Sequence, residues 1–96
     1  MRPEEKIEKR FVTECASLGV QSMKLERKGK KGYPDQSVFL PDGYLLLVEF
    51  KRPGGTTSYH QDICHEELRD KGFEVMIADN WEHPLKRVKV ILDERK

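Results

Sequence analysis

The stretch from Asp35 to Lys51 constrains the fold more than any other part of the chain. Two apolar-rich runs, Asp35 to Leu40 and Tyr44 to Lys51, flank Pro41-Asp42-Gly43, with glycine placed where a positive φ is wanted. The pattern predicts a β-hairpin closed by a three-residue turn. With Leu40 and Tyr44 flanking that turn, opposed positions sum to 84, so Asp35 stands across from Glu49. A two-residue Asp42-Gly43 turn would instead set Asp35 against Phe50.

The remaining segments supply what such a hairpin packs against. In residues 4–18 the apolar positions Ile7, Phe11, Val12, Cys15 and Leu18 fall on one side of a helix, which Gly19 then caps. Gln21 to Arg27 alternates as a strand, with Met23 and Leu25 on one face. Pro53-Gly54-Gly55 interrupts the second hairpin strand; Ser58 caps a helix running to about Lys71, and Gly72 ends it. Phe73 to Ala78 reads as a buried strand, parallel to the hairpin strand through a right-handed crossover. Leu85, Val88, Ile91 and Leu92 return to helical spacing from about His83. The expected order is α-β-β-β-α-β-α, an α/β fold in a single domain spanning residues 1–96.

Charge separates the two ends of the chain although the net value is only +1. Residues 1–32 hold nine Lys or Arg against five acids, and the rest holds nine against twelve. Lys24, Arg27, Lys28, Lys30 and Lys31, spaced by Gly29 and Gly32, suit a polyanion such as DNA as well as they suit a solvated loop. The longest apolar run, Tyr44 to Val48, is too short to cross a bilayer, and no secretory leader is legible, so no membrane partner is expected. Cys15 and Cys64 have no metal-ligand spacing, which points to a reducing cytoplasm.

Facing carboxylates carry the chemical argument. Opposed β-carbons lie roughly 4.5 to 5.5 Å apart, where like charges destabilise a sheet unless a cation sits between them. Two hard oxygen donors with no cysteine nearby favour Mg2+ or Mn2+ over zinc. Lys51 lies two residues beyond Glu49 and shares its face, where it can orient a water or balance charge growing on phosphorus. These are the parts of a phosphodiesterase; the plainer role for all three is an exposed turn and edge strand. Glu8 points near the centre of the apolar arc of the first helix, toward the core or a cleft, unless end fraying and the helix dipole account for it. Gln61, three residues after Ser58, is either the partner in a capping box or a group reaching the cleft, with His65 one turn later. His60, His65 and His83 are too scattered for a zinc site. Tyr33, Tyr59 and Trp81 suit base stacking or plain packing.

Gly32-Tyr33-Pro34-Asp35 followed by Glu49-Phe50-Lys51 resembles the PD-(D/E)xK nuclease signature. With Ile7-Glu8, Gln61, Leu68, Gly72 and the basic loop before Gly32, nearly the whole chain resembles a stand-alone, phage-type VRR-NUC (virus-type replication-repair nuclease) domain. The resemblance implies a restriction-endonuclease-like core, a mixed β-sheet flanked by helices. It also implies Mg2+ or Mn2+ held by Asp35, Glu49 and the backbone carbonyl of Phe50, with Glu8 contributing directly or through water. Lys51 would then be catalytic and Gln61 auxiliary, no nucleotide cofactor being needed. Stand-alone members are similar to Holliday-junction resolvases, homodimers that cut branched DNA, which implies an endonuclease encoded by a bacteriophage and working in the host cytoplasm. The alternatives are a DNA-binding module of the same fold without turnover, and a nicking or flap nuclease.

Overall fold

The computed structural model describes residues 1–26, 29 and 31–95; Arg27, Lys28 and Lys30 of the basic loop, together with Lys96, lie outside them. The expected order holds: α1 is Pro3–Ser17, β1 Gln21–Met23, β2 Gln36–Phe39, β3 Leu45–Phe50, α2 Tyr59–Asp70, β4 Glu74–Ala78 and α3 Glu82–Glu94. Among the described residues the strands form one four-stranded sheet in the order β1-β2-β3-β4. The pairs β1/β2 and β2/β3 are antiparallel and β3/β4 is parallel, so the sheet is mixed and the fold is α/β.

The hairpin takes the three-residue register. Gln36 pairs with Val48, Ser37 with Leu47, Val38 with Leu46 and Phe39 with Leu45. Between the strands Pro41–Gly43 makes a single 3-10 turn in which both Asp42 (φ 61°) and Gly43 (φ 73°) are left-handed. The Leu40 N–H closes it on the Tyr44 carbonyl at 2.9 Å. The ladder is one residue shorter at each end than the sequence suggests. Asp35 is a bend just before β2, and Lys51 leaves β3 while its N–H still donates to the Ala78 carbonyl at 2.9 Å.

Because strand side chains alternate, β3 divides the core in two. Leu46, Val48 and Phe50 join Phe11 and Cys15 of α1 and Leu85, Val88 and Ile91 of α3 on one face. Leu47 and Val75 meet Cys64 and Leu68 of α2 on the other, with Tyr33 and Leu45 packed alongside. Phe11 and Phe50 lie with ring centroids 5.3 Å apart, which ties α1 to the strand that carries the candidate site. β3 is thus a central strand packed on both faces.

Three expectations need correction. β1 stops at Met23, which is exposed, so the face shared by Met23 and Leu25 does not exist. Leu18 is also exposed: it is the C-cap of α1, and Gly19 (φ 74°) then lets the Val20 N–H reach back to the Cys15 carbonyl at 2.9 Å. The apolar run in β4 is not wholly buried either. β4 is an edge strand, and Phe73 and Ile77 remain exposed while Val75 and Ala78 face inward. Trp81 packs against the α1/α3 core with the Arg10 guanidinium 4.4 Å above its ring, and Tyr33 packs beside Leu47. Of the three aromatic residues proposed for stacking, Tyr59 alone is strongly exposed.

Candidate active site

Asp35 and Glu49 meet where β2 begins and β3 ends. Extending the ladder by one pair brings them opposite, and the Asp35 carboxylate accepts the Phe50 N–H at 2.7 Å, which fixes the bend against the end of β3. Glu49 is only 3% exposed, since it stands on the α2 face of a central strand. Burial, then repulsion from and hydrogen bonding with Asp35, push its carboxyl up to about 8 against the pull of Lys51.

A cleft of about 500 Å3 opens over this pair. Glu8, Asp35, Glu49, Phe50, Lys51 and Gln61 all line it, joined by Lys24 of the basic segment and by Arg2, Glu4, Glu5, Arg52, Gly55 and Thr56. One sheet end, the start of α1 and the start of α2 therefore converge on a single concave surface. Lys31 lies elsewhere, beside His60 and Ile63 in a neighbouring depression.

Gln61 holds two roles that the sequence presents as alternatives. Its N–H donates to the Ser58 hydroxyl oxygen at 3.2 Å, and its side-chain oxygen accepts the Ser58 N–H at 2.9 Å, completing a capping box at the start of α2. The same oxygen accepts Lys51 Nζ at 2.7 Å, and the amide nitrogen donates to Glu49 Oε2 at 3.1 Å. Lys51 Nζ also stands 3.7 Å from Glu49 Oε2. The helix cap and the charged cluster are thus one hydrogen-bonded unit.

Glu8 reaches the cleft but is turned toward other partners. Gln36 Nε2 donates to its Oε2, and Lys24 Nζ lies 3.6 Å from the same oxygen. Among the described residues no three His, Cys, Asp or Glu side chains converge as a ligand cluster. The donors that do converge are the Asp35 and Glu49 carboxylates beside the Phe50 main chain. This all-oxygen set fits a hard divalent cation, whose charge would offset the burial and the repulsion from Asp35 that raise Glu49.

No family model matches the chain. It is 35% identical over 77 residues to "Putative nuclease p44" of Acyrthosiphon pisum secondary endosymbiont phage 1, an alignment covering 80% of this chain and 83% of the relative. A solved structure titled "VRR_NUC domain" superposes with a TM-score of 0.78 at 27% identity, covering the whole of both chains. This chain belongs to the VRR-NUC nuclease family. A second structure, titled "VRR_NUC domain protein", shares the VRR-NUC fold at a TM-score of 0.76 and 15% identity, over 94% of this chain and 88% of its own.

Two features of this VRR-NUC site escape the sequence. The first is how closely Gly32 sits on α2. Its φ is +91°, and a β-carbon there would lie 2.4 Å from the His60 carbonyl oxygen and 3.0 Å from the Gln61 nitrogen. Both contacts are backbone atoms that cannot swing aside. Gly32→Ala is expected to destabilise the fold by about 2 kcal/mol or more, through left-handed strain plus overpacking. Chemical denaturation of the two proteins checks this.

The second feature is His65. Four residues after Gln61, it faces Glu49 from beneath and is fully buried, with Nε2 3.7 Å from Glu49 Oε1. Neither ring nitrogen has a hydrogen-bond partner, and neither does Glu49 Oε1. Burial, then the charge of Arg69, lowers its pKa below the usual histidine range, so the ring is neutral near pH 7. The sequence signal was only its place one turn after Gln61.

Proposed function

We propose that this chain is a divalent-metal-dependent, structure-selective DNA endonuclease that hydrolyses phosphodiester bonds at the Asp35, Glu49 and Lys51 cluster. The observation that carries the reading is the acidic pair at a central strand end, with Glu49 raised to about 8 by its own burial and then by Asp35, opening onto a cleft rimmed by Lys24, Lys51 and Arg52. Asp35, Glu49 and the Phe50 carbonyl would hold Mg2+ or Mn2+, with Glu8 acting directly or through water. When bound, the cation supplies Lewis acidity, making water a better nucleophile and offsetting charge on the phosphate.

The protein groups have separable tasks. Lys51 places its ammonium beside the acids, where it can orient a water and balance charge developing on phosphorus. Gln61 pins that ammonium through its oxygen and steadies Glu49 through its nitrogen. The Phe50 N–H keeps Asp35 aimed at the same point. Lys24, with Arg27, Lys28, Lys30 and Lys31, would track the DNA backbone through phosphate contacts.

The substrate we favour is a four-way DNA junction cut by a homodimer, because one domain with one site cuts one strand per encounter and two symmetric cuts need two sites. A bacteriophage origin, with activity in the host cytoplasm, agrees with the phage relative. End-labelled four-way, flap, nicked and linear DNA, incubated with and without Mg2+ or Mn2+, test the whole reading. Paired cuts in the four-way junction that need the metal are expected. Preference for flap or nicked DNA would replace the junction by another substrate, and binding without metal-dependent cleavage of any of the four would leave a DNA-binding module.

A further inference from the structure

We infer that His65 is the positioning residue that orients the Glu49 carboxylate, and so sets the affinity of the site for a divalent cation; this rests on the function proposed above. Glu49 is gripped asymmetrically. Its Oε2 looks toward the cleft, where Gln61 donates to it and Lys51 approaches, whereas its Oε1 looks into the protein. Against that inner oxygen stands His65, its Nε2 3.7 Å away and its ring wholly buried.

A buried histidine with two unpaired nitrogens, facing a buried oxygen that is also unpaired, is a costly arrangement that apolar packing would avoid. The neighbours of His65 on α2, Cys64 and Leu68, show that the same surface readily takes apolar side chains. A small rotation of either group turns the contact into an Nε2–H hydrogen bond to Oε1. Carrying that bond on the inner oxygen fixes the carboxylate plane and leaves the outer oxygen presented to the cleft. Partners of this kind behind a metal-binding carboxylate act on the cation without touching it.

Three variants separate this role from packing. Glutamine carries an amide nitrogen near the position of the imidazole Nε2, asparagine carries one too short to reach Glu49, and leucine carries none. Mn2+ titration by calorimetry in the absence of DNA is expected to show His65→Leu and His65→Asn weakened about tenfold to a hundredfold, and His65→Gln within about threefold of wild type. Thermal melting in EDTA is expected to place His65→Leu within a few degrees of wild type, because removing the unpaired Nδ1 offsets the loss of the Nε2 contact. A merely structural histidine would lower melting and leave Mn2+ affinity in step with it. The inference is overturned if all three variants bind Mn2+ like wild type, or if His65→Gln is as weak as His65→Leu. Wild-type protein that takes up no Mn2+ overturns the proposed function as well, and is recognised because wild type and variants are then equally silent.

Discussion

Asp35→Asn is expected to lower Mg2+-dependent DNA cleavage by about a thousandfold or more while leaving DNA affinity within about threefold, since a metal site and its charge contribute several kcal/mol to such a barrier. The substitution is selective for a structural reason. The oxygen that remains on asparagine can still accept the Phe50 N–H that anchors the bend, so β2 and β3 keep their register. What is lost is one of the two carboxylates proposed to hold the metal. Of the basic residues proposed to hold DNA, Lys24 sits on the rim and Lys31 in a neighbouring depression, and the substitution alters neither. Gel-based cleavage and anisotropy binding measured on one protein preparation check both halves. Equal loss of binding and cleavage would show that Asp35 supports the fold or the DNA rather than the chemistry.

A second large effect concerns Glu49 in the absence of metal. Its folded pKa of about 8 lies above the ordinary value of 4.5, so between those pH values the folded protein keeps a proton that the unfolded chain releases. Stability is therefore full below pH 4.5 as far as this group is concerned, and declines as pH rises through 8. With Glu49 only 3% exposed, the loss is on the order of 3 kcal/mol. Glu49→Gln has no proton to lose. In EDTA it is expected to match wild type near pH 5 and exceed it by roughly that amount at pH 9, although it cannot support cleavage. Urea denaturation across pH measures the difference, and parallel wild-type and variant curves would contradict it. Mg2+ added at pH 9 should restore much of the wild-type loss, because a ligand of the folded state opposes unfolding.

Much of this site was legible because turn chemistry fixes register. Proline, aspartate and glycine at residues 41–43 admitted two turn lengths, and the three-residue form sets every pairing of β2 with β3 and hence brings Asp35 opposite Glu49. The capping residue Ser58 likewise placed Gln61 at the helix start, close enough to β3 for its side chain to serve cap and cluster together. What stayed hidden depends on neighbours far apart in sequence. Periodicity puts Glu8 on the inner arc of α1 but cannot show that Gln36 and Lys24 will occupy its carboxylate. An apolar run such as Phe73 to Ala78 reads alike in an interior or an edge strand, so the exposure of Phe73 and Ile77 follows from sheet order alone. His65 is buried because α2 packs on the sheet face that carries Leu47, Val75 and Glu49, which helical spacing does not disclose. The part of the basic loop formed by Arg27, Lys28 and Lys30 lies outside the described residues.

The central claim is that Asp35 and Glu49 would hold a divalent cation in place of the proton on Glu49. Calorimetric titration of the metal-free protein with Mn2+, repeated at pH 7 and pH 9 in buffers of different ionisation enthalpy, reads both the binding and the protons released. With Glu49 at about 8, uptake of Mn2+ at pH 7 is expected to release close to one proton, falling toward zero at pH 9 as affinity rises. Binding that releases no proton at either pH, or that survives unchanged in Asp35→Asn, would contradict it.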